Sequence, residues 1–252
     1  MIERSSLGAA RLLKMAHGKA SAFDLEFLRG LTAEIEAARE DGVSALVLTG
    51  TGSIFSAGVD LIRLRDGGSD YLNEFLPALD ECFEKLFFFP APTVAAVNGH
   101  AIAGRGVLTL CCDRSVMSRG SARIGLPELK VGVPFPTIVI EIVRASLSPD
   151  VAREIILRGA TYDPETALGR GFVDELAAPE ALLRRAGEIA AELSAVPVAS
   201  YRISKELLRR PVREAMERHG KADAVRTRVA RITSRAQRYS AAPTSSVARR
   251  PI

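Results

Sequence analysis

Two glycine-bearing turns and one carboxylate in apolar surroundings are the features of this sequence that could do chemistry. The turns are Phe55-Ser56-Ala57-Gly58-Val59-Asp60 and Asn98-Gly99-His100-Ala101-Ile102-Ala103-Gly104, each after an apolar, strand-like run. Small residues let a ligand approach the backbone, and N–H groups at a turn or helix start can bind an oxygen that gains negative charge. Two such donors converging on one point would form an oxyanion hole. Spacing by itself favours the plainer reading, two ordinary strand-exit turns. The carboxylate is Glu128, inside Ile124-Gly125-Leu126-Pro127-Glu128-Leu129-Lys130-Val131-Gly132-Val133-Pro134. Buried there it would have a raised pKa, suited to proton transfer near neutrality. Turned outward, it would face solvent or pair with Lys130 or Arg123, with no chemical role.

These groups need elements to hold them. Phe23, Leu25, Leu28, Leu31, Ile35 and Ala38 recur at near-helical spacing over residues 22–40, and Asp41-Gly42 closes the segment. SALVLT (44–49) and TVAAV (93–97) read as buried strands, each feeding one of the glycine turns. Residues 70–89 and 104–112 read as helices, with a strand near 115–117. The first 175 residues or so therefore read as repeated β-β-α or β-α units. After Pro164 the pattern turns helical, over 164–169, 179–195, 198–209 and 211–232. Residues 240–252 (SAAPTSSVARRPI) lack periodicity and are expected to be disordered.

Bulk composition narrows the class. The chain has 252 residues, 47% of them hydrophobic and 25% charged, enough for one large core. Its longest apolar run, residues 87–97, is interrupted by Pro90 and Pro92 and is far shorter than the roughly 20 residues of a membrane helix. No membrane span and no secretory leader are expected, which predicts a soluble, cytoplasmic protein. The three cysteines lack disulfide or metal-ligand spacing and read as reduced core residues, and no metal site is expected. Residues 201–252 hold 14 Lys/Arg against 4 Asp/Glu, a basic segment that could meet nucleic acid, a phosphorylated ligand or an acidic subunit. Tyr201 and Tyr239 are its only aromatics, so base-stacking platforms are scarce and nucleic acid is the least favoured of these partners.

Taken in order, LVLTGTGSIFSAGVDL (46–61), PTVAAVNGHAIAGRGVLTLCCD (92–113) and IGLPELKVGVP (124–134) resemble the crotonase (enoyl-CoA hydratase/isomerase) family. The likeness runs from about residue 7 to residue 210. It implies an α/β fold, a crotonase-like β-β-α spiral core with a helical C-terminal trimerisation region. The core would span 1–195 and hold the acyl-CoA site, the helical region 196–239, and the tail 240–252. A homotrimer or hexamer is implied, and no cofactor, because CoA is part of the substrate.

Matched motif by motif, the resemblance gives the Val59 and Gly104 N–H groups to the thioester oxygen, with Gly104 opening a helix whose dipole favours an enolate. Glu128 becomes the acid/base. Substrate and CoA contacts fall to Lys19, Ala22, Ala57, Gly58, Asp60, Leu61, Ala103, Val107, Leu126 and Pro127. Family hydratases carry a second glutamate three residues after the oxyanion-hole glycine, where this chain has Val107. Dienoyl-CoA isomerases use a further acid about eight residues beyond the glutamate, where Pro136 stands. The single glutamate is similar to the 3-enoyl-CoA to 2-enoyl-CoA isomerases, whose reaction moves one proton from C2 to C4. A hydratase and a non-catalytic acyl-CoA binder are the alternatives.

Several residues depart from the family or carry plainer readings. Arg105 follows the donor glycine where the family has a small residue, and either projects outward or narrows the pocket. Ser21 stands where an asparagine is common in the adenine-side segment 19–22. Lys205 could meet a CoA phosphate, though a solvated helix face is the simpler expectation. His100 has no evident partner and reads as structural. Phe87 to Phe89 and Phe135 read as core or acyl-pocket lining, and Asp60 and Asp113 as turn or capping residues.

Overall fold

The structure, a computed structural model, describes residues 2–17, 23–52, 54–56 and 61–219. Three successive units each send one strand into a large sheet and the next into a smaller one. Strand β3 (Leu46–Thr49) is followed by β4 (Ile54–Ser56) and helix α2 (Leu61–Phe87). Strand β5 (Thr93–Val97) is followed by β6 (His100–Ile102) and α3 (Gly104–Cys111). Strand β7 (Arg114–Ser118) is followed by β8 (Ile124–Gly125), a 3₁₀ turn at Glu128–Val131 and α4 (Thr137–Ser146). This repetition matches the β-β-α units read from the sequence pattern and the spiral core that the family resemblance implies.

A hairpin of β1 (Ile2–Leu7) and β2 (Ala10–Met15) extends the large sheet, which β10 (Glu175–Ala177) closes in the order β1-β2-β3-β5-β7-β10. From β2 onward its pairings are parallel. The small sheet runs β4-β6-β8-β9, with β9 (Thr161–Tyr162) antiparallel to β8. Helix α1 (Leu25–Glu40) precedes the first unit; α5 (Pro149–Arg158), α6 (Pro164–Gly169), α7 (Leu182–Ser194) and α8 (Val198–His219) complete the chain.

Parallel strands covered on both faces need apolar residues at every position, which explains the unbroken runs LVL and TVAAV. Leu46 and Leu48 join the main core with Phe83 and Leu28. Val47, Val94, Ala96 and Val116 face the other way, onto Leu182, Ala186 and Ile189 of α7. Helix α1 matches the spacing read from its leucines; its N-cap is Asp24, whose side chain accepts from the Phe27 N–H.

Several elements differ from the sequence reading. The hairpin and helix α5 are not anticipated. Helix α2 begins before residue 70 because Gly68, at φ +59°, kinks the chain between two helical pieces, and the sequence reading captures only the second. The break placed between 198–209 and 211–232 is absent: α8 runs through Pro211. Proline removes one helical N–H, yet Lys205, Arg209, Val212 and Ala215 stay buried along one face and hold the helix in register. The expected helix beyond residue 219 and the tail 240–252 lie outside the described residues.

Candidate active site

Residues Asn98 to Gly104 are the second glycine turn, and hydrogen bonds fix it from both sides. The Asn98 side chain accepts the Gly50 N–H at 2.8 Å and donates to the Gly52 carbonyl at 2.7 Å. One asparagine thus ties the exit of β5 to the exit of β3. The sequence marks Asn98-Gly99 only as a turn, and no local pattern shows this bridging role. His100, predicted to be structural, accepts the Arg123 N–H through Nδ1 at 3.1 Å.

Ala103 caps α3 with φ 61° and ψ −137°, the one non-glycine residue at positive φ among the described residues. An alanine held there is strained by about 1–3 kcal/mol. Its N–H donates to the Gly125 carbonyl at 2.9 Å, and its carbonyl accepts from Val107 at 3.3 Å. Gly104 opens the helix, so its N–H has no acceptor within the helix and stands at the positive end of the dipole. A Cβ on Gly104 would lie 2.6 Å from Phe23 Cε2, so only glycine fits beneath that ring.

The same contacts reach the carboxylate. A Cβ on Gly106 would lie 2.9 Å from Leu126 Cδ2 and 3.2 Å from the Gly125 carbonyl, so the first turn of α3 sits directly on the strand end that leads to Glu128. Gly125, at φ +155°, has the Ala160 carbonyl only 2.2 Å from where a Cβ would stand. Glu128 then opens the 3₁₀ turn, which Gly132 ends at φ +78°. The Glu128 side chain is half-buried, and its Oε2 is shielded from solvent without a hydrogen-bond partner. Burial pushes its pKa up to about 7, against a smaller lowering by its own backbone N–H. Neither of the sequence's bland partners, Lys130 or Arg123, pairs with it: Arg123 is engaged by Thr161.

Of the other candidates, Val107 and Leu126 are fully buried, while Ala103 and Pro127 are partly exposed beside them. Leu61 is the first residue of α2. Lys19, Ala22, Ala57, Gly58, Val59 and Asp60 lie outside the described residues. Phe87, Phe89 and Phe135 are core residues.

Two expectations are corrected. Arg105 does not project outward: it is 0% exposed, with its guanidinium beside the stacked pair of Phe23 and Phe27. Lys205 is neither solvated nor free for a phosphate. It is buried, with Nζ 2.7 Å from Asp113 Oδ2 and 3.1 Å from the Ala91 carbonyl, and burial lowers its pKa to about 8 against the pull of Asp113. Asp113, expected to be a capping residue, also accepts from the Thr93 N–H at 2.8 Å and pairs with Arg209 at 2.8 Å. It clamps α8 to the far end of α3. Among the described residues no helix is long and apolar enough to cross a membrane.

Known proteins give this arrangement a context. The family model described as enoyl-CoA hydratase/isomerase matches residues 9–238. A putative enoyl-CoA hydratase of Thermus thermophilus is 37% identical over 172 residues, covering 67% of each chain. The mitochondrial enoyl-CoA delta isomerase 1 of Rattus norvegicus is 24% identical over 226 residues, 88% of this chain and 78% of the relative. Among solved structures, the probable enoyl-CoA hydratase EchA3 of Mycobacterium tuberculosis superposes with a TM-score of 0.82 at 29% identity, over 95% of this chain and 98% of that one. The match spans nearly the whole described chain and includes all three segments from which the site is built, so the chain belongs to the enoyl-CoA hydratase/isomerase, or crotonase, family.

Proposed function

We propose that the protein moves the double bond of a 3-enoyl-CoA thioester to the 2-position, with Glu128 as its one acid/base group. The observation that carries this reading is the shielded, unpartnered Oε2 of Glu128, with its pKa raised to about 7, on a segment packed against the first turn of α3. Glu128 takes a proton from C2, the electron pair moves into a dienolate, and the carboxylic acid returns the proton at C4. Gly104 N–H, with Val59 N–H as second donor by family resemblance, holds the dienolate oxygen. A donor of this kind is worth about 3–4 kcal/mol in the transition state.

Hydration is the second reading, favoured by the name of the Thermus thermophilus relative. Water addition in the family draws on a second carboxylate, and the corresponding position here is Val107, fully buried and apolar. A cytoplasmic homotrimer or hexamer belongs to the same proposal, from family resemblance.

Parallel incubation with 3-enoyl-CoA and 2-enoyl-CoA, with products resolved by mass and ultraviolet absorbance, tests it. Isomerisation predicts conjugated product of unchanged mass from the 3-enoyl substrate, lost in Glu128→Gln. A mass gain of one water from the 2-enoyl substrate, without isomerisation, overturns it.

A further inference from the structure

Arg105, the residue after the proposed donor, is a buried cation that the mechanism above does not use. Its guanidinium carbon lies 4.7 Å from the centroid of the Phe23 ring and 4.4 Å from that of Phe27. Nη1 donates to the Phe55 carbonyl at 2.6 Å and lies 3.9 Å from Met15 Sδ. Nε and Nη2 are buried with no hydrogen-bond partner.

The accepting carbonyl is unusual. β4 pairs with β6 through Ile54↔His100 and Ser56↔Ala101, with a register shift between them, so Phe55 is the extra residue of a bulge. A bulge leaves a residue outside the ladder and re-aims the strand. Arg105 gives that carbonyl a side-chain hydrogen bond from α3. The other side of the contact is the helix start: Phe23, one of the two rings beside the guanidinium, packs its ring edge against Gly104.

We propose that Arg105 is a positioning residue: by holding the bulged Phe55 carbonyl and stacking on Phe23, it fixes the first turn of α3 against β4 and so sets the direction of the Gly104 N–H. This rests on the reading of Gly104 as the donor to the thioester oxygen. A side chain serving stability alone would be poorly chosen, because a guanidinium buried with two unpaired nitrogens costs more than an apolar group of similar size. Burial works against its charge, and Asp24 acts in the opposite direction.

The test compares wild type, Arg105→Met and Arg105→Lys by the infrared carbonyl stretch of a bound saturated acyl-CoA labelled with ¹³C at the thioester carbon, alongside melting temperature, Kd and kcat on 3-enoyl-CoA. For Arg105→Met the expectation is an undiminished melting temperature and a similar Kd. Its carbonyl downshift should shrink, and its kcat should fall about tenfold or more, as expected for a misplaced catalytic group. Arg105→Lys keeps the charge and one donor but not the planar stack, so an intermediate shift is expected. If the methionine variant does not fold, the lysine variant carries the test. A wild-type carbonyl shift in whichever variant is measured overturns the proposal, as does a loss of kcat/KM that comes entirely from a raised Kd with kcat unchanged. The carbonyl readout does not depend on which double-bond chemistry follows. A wild-type protein that shifts the carbonyl but leaves 3-enoyl-CoA unchanged overturns the isomerase reading and leaves the Arg105 result standing. An unshifted wild-type carbonyl overturns both.

Discussion

The Ala103 N–H donates to the Gly125 carbonyl at 2.9 Å, so the residue before the proposed donor Gly104 is bonded to the residue three before Glu128. The two halves of the candidate site are thereby joined through backbone, not through side chains that could relax independently. The junction is strained at Ala103, whose φ of 61° suits glycine. Ala103→Gly should relieve the strain and offset its own entropic cost, leaving stability equal or up to about 1 kcal/mol higher. Ala103→Val should be destabilised, because a branched side chain tolerates this conformation least. Thermal unfolding of both variants checks the order.

Gly104→Ala places a methyl 2.6 Å from Phe23 Cε2. The ring or the helix must shift, at a cost of about 1–3 kcal/mol. If the helix yields, turnover should fall by about 100-fold. The double variant Gly104→Ala/Phe23→Leu should recover stability, which denaturant titration of the single and double variants measures.

Glu128 makes the stability of the protein depend on pH with a defined sign. Its carboxyl titrates near 7 in the folded protein against an ordinary 4.5, so the folded state holds the proton more tightly. Stability therefore declines as pH rises from about 4.5 to 7, and the full penalty, about 3 kcal/mol, is present above 7. Glu128→Gln should match wild type near pH 4 and exceed it at pH 8. The same group must be ionised to act as base, so kcat/KM should fall about tenfold per pH unit below 7.

Much of this site is legible in the sequence, and the exceptions share a cause. Strands β3 and β5, the turns after them and the apolar setting of Glu128 are local patterns, so the composition of short windows reveals them. Arg105 and Lys205 are misread because their surroundings are built from distant segments: Phe23, Phe27 and Phe55 around one, Ala91 and Asp113 around the other. A basic residue on a helix pattern predicts solvent unless its long-range partner is known. Asn98 is hidden for the same reason, since Gly50 and Gly52 lie almost fifty residues away.

The clamp at the far end of α3 gives a separate prediction. Asp113→Ala leaves Lys205 and Arg209 buried without their shared carboxylate, which should cost about 3–5 kcal/mol. Chemical denaturation would measure the loss, and limited proteolysis should show α8 released first.

The claim at the centre is that one shielded carboxyl group both removes and returns the proton. A 3-enoyl-CoA carrying deuterium at C2, turned over in ordinary water, tests it by mass analysis of the 2-enoyl product. The account predicts that a measurable fraction of product carries deuterium at C4 and that Glu128→Gln forms none. Full turnover with no deuterium at C4, or unchanged turnover by the glutamine variant, would contradict it.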